Sequence, residues 1–574
     1  MDIDRILKEA KKKNTGKAAA TTTTVGGKRK RGDNEDDDDK PTLGDMGVMG
    51  GEEGDEKQAK MMKLLEEADD IEELDEAKLR QLVLTFTKAI DKNVERRMKF
   101  SDDPTKFMDS EIKVHQIIQD LQGVAASPDL FPEFVRLKAV APLLSLISHE
   151  NTDISIEVVD LLKEFTDVET VQEEGRNAEI LLDSLISNQM IPLLVTNLER
   201  LDESQKEDQQ AVHNTLNIFE NLMEVAPEVA AVKLSTETKL VDWLLKRLRK
   251  GEFDENQLYA SEILSMLLLT GGRAVKALTE KQGLKKLVRC VAAYRKRDPE
   301  SLDEVEFVEN LFNCIVSTLG AEKPNQLAFA QADGLQLMIT MVRKKRYTQA
   351  AALKVLNYAV TDCMSNCEKT IECSGLKAIF KAFMARGKVS KRLKKELEAT
   401  EEHVLSCIVQ LFIHLSDVRY LRLLNKFREN GYEKVERLVE LHDKYYSRLE
   451  DAERKYQREH PDEPIDEDEL YMRRLDNGLY SLQMCSLLIA LICSAGETGI
   501  YERVVQLLNQ QDSSLKDVKE ILEEYHANLA DDKSGKKMKT ILNNVIIILE
   551  GLLGTAEKEG EDAEAEGSEE KKTA

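Results

Sequence analysis

The feature that most constrains this chain is a recurring pair of apolar helical segments. From Leu143 to Asp167 the sequence reads LLSLISHENTDISIEVVDLLKEFTD. One apolar segment ends at Ile147, the polar stretch His149 to Asp153 follows, and Ile154, Val158, Leu161, Leu162 and Phe165 then recur at spacings of three and four. That period places them on one helix face, with Asp153 as the expected N-terminal cap. The same pattern predicts helix pairs over 190–201 and 212–223, 240–248 and 258–269, and 284–292 and 305–319. It continues over 335–342 and 350–360, and over 376–384 and 404–415. The shorter member often follows a glycine, as at Gly283, Gly334 and Gly375.

Each such pair is amphipathic and buries its faces only against its neighbours, so the pattern implies an all-α solenoid with a concave face. The step of roughly 40 to 60 residues is at or above the armadillo and HEAT period. Two separate helical bundles are the alternative architecture. A stack also accommodates 574 residues, more than a single core holds. With 33% charged residues, 5% aromatics, 11 prolines and one Trp, little is left from which to build a sheet.

The organisation expected along the chain has five parts. Residues 1–60 read as a disordered tail containing Lys28, Arg29, Lys30 and Arg31, followed by the acidic run Asp36 to Asp39. A helical N-terminal cap spans 61–140, armadillo-type repeats 141–420 and a helical C-terminal capping domain 421–553. That last domain includes a long charged helix over 427–458. An acidic disordered tail takes 554–574.

The net charge of −25, from 107 acidic and 82 basic side chains, opposes contact with a phosphate backbone. No direct DNA binding is expected, whereas basic peptides are attracted. The N-terminus has no apolar signal core, the longest apolar stretch, around Ser486 to Cys493, is too short for a membrane, and the eight cysteines read as buried free thiols in a reducing compartment. Cys363, Cys367 and Cys373 have no fourth Cys or His nearby, which argues against structural zinc, and no cofactor is expected. The chain contains no P-loop, no H-E-x-x-H and no G-x-S-x-G string, so it is read as a non-enzyme.

Several strings resemble the beta-catenin-like protein 1 family. They include Arg97-Met98-Lys99-Phe100, Asp103-Pro104-Thr105-Lys106-Phe107-Met108, Asn151-Thr152-Asp153-Ile154-Ser155-Ile156 and the run from Asn197 to Ser204. Val212-His213-Asn214-Thr215-Leu216, Gly334-Leu335-Gln336-Leu337-Met338, Arg422 to Phe427 and Tyr471 to Asp476 extend the likeness over about residues 95 to 530. The resemblance implies a nuclear armadillo solenoid of the spliceosome, associated with the NineTeen pre-mRNA-processing complex. It also implies partners that are splicing-complex proteins with basic, nuclear-localisation-type segments, and self-association. Vertebrate members of the family also bind an antibody-diversifying cytidine deaminase, a partner not carried over to this chain.

Peptide-binding surfaces of this architecture use the last helix of each repeat, where import receptors carry a Trp-x-x-x-Asn ladder. An overlay places Asp160 and Glu164 at those positions in the first unit, Asn217 and Asn221 in the second, Glu262 in the third and Asn310 in the fourth. The only Trp, Trp243, lies outside the ladder. The expected surface therefore reads basic peptides through carboxylates and Asn. Lys28 to Arg31 reads as a nuclear-localisation run, and also fits the chain's own acidic surface. Arg343 to Arg346 and Arg386 to Lys395 read as solvated helix ends. The rival functions are an import carrier of the importin-alpha type, an acidic histone chaperone and an RNA-binding solenoid.

Overall fold

The computed structural model describes residues 74–573, apart from 250, 345, 387–390 and 461–465, with side chains described to residue 554 except at 391–396. The run Lys28 to Arg31 lies outside the described residues. Among the described residues there are helices and no strands, and no single helix is long and apolar enough to cross a membrane.

A ladder of helices forms the spine. We number them α1 (Met108–Asp120), α2 (Thr152–Phe165), α3 (Lys206–Val225), α4 (Glu255–Thr270) and α5 (Leu302–Ala321). They continue as α6 (Gln349–Val360), α7 (Lys391–His414), α8 (Leu479–Cys493) and α9 (Leu515–Asn528). Each packs against the next. The expected apolar positions of α2 are all buried, Ile154, Val158, Leu161, Leu162 and Phe165 among them. Its cap differs from the expectation: Asn151 accepts the Asp153 backbone N–H at 3.0 Å, and Asp153 sits inside the first turn.

The repeat contains three helices where the sequence pattern shows two. The extra element is short, as in Pro227–Thr236, Gly272–Glu280, Lys323–Gln331 and Met364–Glu372, and each buries only three or four residues. These elements are only 9 or 10 residues long, a run too short to be read as a separate helix beside its longer neighbours. The second helix then starts at a sharp junction. Gln282, Asp333 and Ser374 take the left-handed conformation immediately before Gly283, Gly334 and Gly375. A Cβ at Gly334 would lie 2.4 Å from the Phe329 ring, and one at Gly375 would lie 2.6 Å from Thr370. The glycines are there so that the first two helices can close on each other.

Successive units are also tied by donors that reach carbonyls at the end of the previous second helix or in the turn that continues it, groups a helix end leaves unsatisfied. The Trp243 indole N–H donates to the Leu198 carbonyl at 3.2 Å, Lys344 to Arg295 at 3.2 Å and Lys381 to Arg343 at 3.1 Å. Arg346 pairs with Asp298 at 3.1 Å, so this basic end serves the repeat junction. At the C-terminal end α8 is buried along nearly its whole length, from Leu479 to Cys493. The long helix Asp417–Glu459 covers it and is broken at Glu429 to Tyr432, where Asn430, Gly431 and Tyr432 all take positive φ. The long charged helix expected over 427–458 therefore begins after this break, and residues 417–428 form a separate helix before it. The last helix, Lys533–Thr573, continues through the acidic stretch that begins at 554.

Candidate functional site

The side of the ladder not used in packing presents acidic groups. On α2, Glu157 and Asp160 are half-buried and Glu164 is exposed. Burial raises the Asp160 carboxyl above its ordinary range, against the stabilising hydrogen bond it accepts from the Asn214 amide at 2.6 Å. Burial likewise raises Glu157, opposed by His115 at 3.5 Å and reinforced by the neighbouring Asp160. Glu164 is within 3.3 Å of Lys163 on its own helix, a surface pair of small energetic consequence.

Further along, α3, α4 and α5 bring three carboxylates together. Tyr259 of α4 donates its hydroxyl hydrogen bond to Glu220 of α3 and accepts one from the Asn217 amide at 2.9 Å. The His213 ring lies 4.9 Å from the Tyr259 ring, completing the side of the cluster. One turn beyond Tyr259, Glu262 faces Glu306 of α5 and Glu220. Its carboxyl is pushed up to about 7, first by burial and then by repulsion from Glu306 and Glu220. Like charges withdrawn from water disfavour ionisation. Among the described residues neither Glu262 nor Glu306 has a cationic partner. A Lys or Arg side chain entering here would find hydrogen-bond acceptors already in place and would restore the ionisation the cluster resists.

The six expected ladder residues thus fare differently. Asp160 and Glu262 lie on the accessible side of the ladder and Glu164 is exposed. Asn221 is only 8% exposed, so little of it is offered to a ligand. Asn217 and Asn310 spend amide N–H groups between ladder helices, Asn310 donating to the Ser261 hydroxyl at 3.2 Å. These amides set the spacing of α3, α4 and α5. Glu157, Glu220, Tyr259 and Glu306 were not singled out by the sequence pattern. Their signal is register: Glu220 falls three residues after Asn217, and Glu306 four before Asn310.

Among the described residues no group of three or more His, Cys, Asp or Glu is arranged to hold a metal. Cys367 is fully buried and its thiol is pushed up by that burial, an environment that suppresses thiolate chemistry.

Comparisons with known proteins agree with this architecture. The family model described as "Catenin-beta-like, Arm-motif containing nuclear" matches residues 56–523. Beta-catenin-like protein 1 of Mus musculus is 42% identical over 486 residues, covering 83% of this chain and 86% of the relative. The Homo sapiens protein of that name is 41% identical over the same shares of both chains. A Schizosaccharomyces pombe homolog is 32% identical over 462 residues, 79% of each chain.

Proposed function

Because the chain belongs to the Catenin-beta-like, Arm-motif containing nuclear family, we propose that it is a nuclear, non-enzymatic adaptor of the splicing machinery whose ladder takes up basic segments of partner proteins. The observation that carries this reading is the unpaired carboxylate group on α3, α4 and α5. Glu262 is half-buried among Glu220 and Glu306 and lacks a counter-ion among the described residues. A buried charge without a partner is costly, and a cationic ligand removes that cost. Asp160, Glu157 and Glu164 on α2 extend the acidic strip toward the N-terminal units. A segment with two spaced basic clusters, as in nuclear-localisation sequences, matches the two groups. The proposal includes self-association of the family type.

The site chemistry favours an adaptor over an import carrier of the importin-alpha type. Such a carrier holds an extended peptide by Trp slots and free Asn amides. Here the Trp243 indole is committed to Leu198, Asn221 is buried, and the amides of Asn217 and Asn310 bridge helices.

The test is a titration of the full chain with a fluorescent basic localisation peptide at two salt concentrations, beside an acidic scrambled control. Saturable binding that weakens with salt and is absent for the control supports the adaptor. No binding at either salt would refute a peptide-reading ladder. Co-purification from nuclear extract with splicing proteins, and not with histones, tests the assignment to the splicing machinery against a chaperone role.

A further inference from the structure

On a chain of net charge −25, one groove carries the opposite sign. It has a volume of about 340 Å³ and is lined by five cations, Arg249, Lys281, Lys285, Lys286 and Arg289, with Glu280 at its edge. Lys285, Lys286 and Arg289 are three and four residues apart on the second helix Gly283–Ala292, so they share one face. Lys281 joins them from the junction before that helix, and Arg249 lies two residues past the end of the preceding unit's second helix, Leu240–Arg247. These positions lie on or at the ends of second helices, apart from the ladder acids described above.

The cations are not all neutralised. Asp242 holds Lys281 at 2.9 Å and Lys286 at 4.0 Å. Among the described residues Arg249, Lys285 and Arg289 have no carboxylate partner, and all three are exposed. Asp242 therefore fixes one side of the groove and leaves the other side free for an anion.

We propose that this groove binds a short acidic segment of a partner protein, a run of three or four Asp or Glu residues. The span from Lys281 to Arg289 is on the order of 12 Å at the helical rise per residue. An extended peptide advances about 3.3 Å per residue, so about four residues fill it. A polynucleotide fits less well. No aromatic ring lines the groove to stack on a base. A long polyanion would also run from these five cations onto a body of the same charge as itself. A short acidic stretch meets the cations and ends before the surrounding field is felt, because that field is screened over about a Debye length. Exposed ion pairs are individually weak, so the contact is modest and salt-sensitive. It gains strength when the same partner also places a basic segment on the ladder.

The experiment uses the full chain and fluorescent hexa-glutamate, followed by anisotropy. Binding is expected to saturate and to weaken several-fold as salt rises from about 50 to about 200 mM. The double reversal Lys285→Glu with Arg289→Glu is expected to lower affinity by about tenfold or more, with basic-peptide binding and thermal unfolding unchanged. Asp242→Asn, which releases Lys281 and Lys286, is expected to raise affinity by a few-fold. Three results would overturn the proposal. One is the absence of saturable binding. Another is an affinity that neither charge change moves. The third is a single-stranded RNA of equal charge that binds more tightly than hexa-glutamate and is itself weakened by the double reversal.

Discussion

Glu401 and Glu262 are both carboxylates withdrawn from water on ladder helices, and their surroundings differ in one respect. Glu401, on α7, is 5% exposed and fully partnered: it accepts from Arg437 at 2.8 Å, Lys444 at 2.5 Å and Tyr445 at 2.8 Å. Arg437 also donates to the Phe383 and Ala385 carbonyls, so the network joins the last second helix, Gly375–Phe383, to the C-terminal module. Glu304, at the start of α5, is treated similarly, with bonds from Tyr294 at 2.8 Å, Arg297 at 2.5 Å and the Glu300 N–H at 2.7 Å. Two residues later on the same helix, Glu306 faces Glu262 with no cation at all among the described residues. Where the chain needs a carboxylate for its own structure, it supplies the counter-charge. At the α3–α4–α5 cluster it supplies only more negative charge, which fits a site completed by another molecule.

The largest effect should come from breaking the paired side of this contrast. Arg437→Ala leaves Glu401 short of its main partner, and removing one member of a buried pair costs about 3–5 kcal/mol. Hydrogen exchange should show lost protection in Lys391–His414. Little change there would mean that the network adds no stability. Next in size, the triple change Glu220→Gln, Glu262→Gln and Glu306→Gln should lower basic-peptide affinity by about tenfold or more, corresponding to about 1.4 kcal/mol. The fold should be kept. Unchanged affinity in the titration would remove the cluster from the site.

A smaller effect has the opposite sign for stability. The Glu262 carboxyl sits at about 7 against an ordinary 4.5, so the folded state disfavours its charged form. Its contribution is fully present below pH 4.5 and is lost as pH rises through about 7. Glu262→Gln should therefore be more stable than the parent at pH 8, by on the order of 1 kcal/mol once solvent screening is allowed for, and equal to it near pH 4. Thermal melts at the two pH values check this, and a variant less stable at pH 8 would contradict it. The smallest effect is at Glu164, exposed and beside Lys163. Glu164→Gln should change stability by less than about 0.5 kcal/mol, and a larger drop in a urea titration would show a contact that this geometry lacks.

The contrast also shows how much the sequence carries. Helices α2 to α6 and the second half of α7 were legible because each sustains a three–four apolar period over several turns, as Ile154 to Phe165 do, whereas the charged first half of α7, from Lys391, carries no such period. The short first helices were not, because elements such as Lys323–Gln331 bury only Asn325, Gln326, Phe329 and Ala330 and show little amphipathic stripe. The break at Glu429 to Tyr432 had a signal in Asn430-Gly431, a turn-forming pair, which the surrounding helical charge pattern obscured. At the site, acidic identity was readable and orientation was not. Asn217 and Asn221 are four apart and share a face, yet one bridges to Tyr259 and the other is buried. Which side of that face meets the neighbouring helix depends on how the units stack, and the period within one helix does not contain that information.

The most direct test of the central claim, that the unpaired cluster around Glu262 is completed by a partner's cation, is a count of protons. Calorimetric titration of the full chain with a basic peptide at pH 7, repeated in two buffers of different ionisation enthalpy, reads it. The account predicts that binding releases a fraction of a proton, that the release disappears in Glu262→Gln, and that affinity rises from pH 6 to pH 8. Binding with no proton release, and with the same affinity at both pH values, would contradict it.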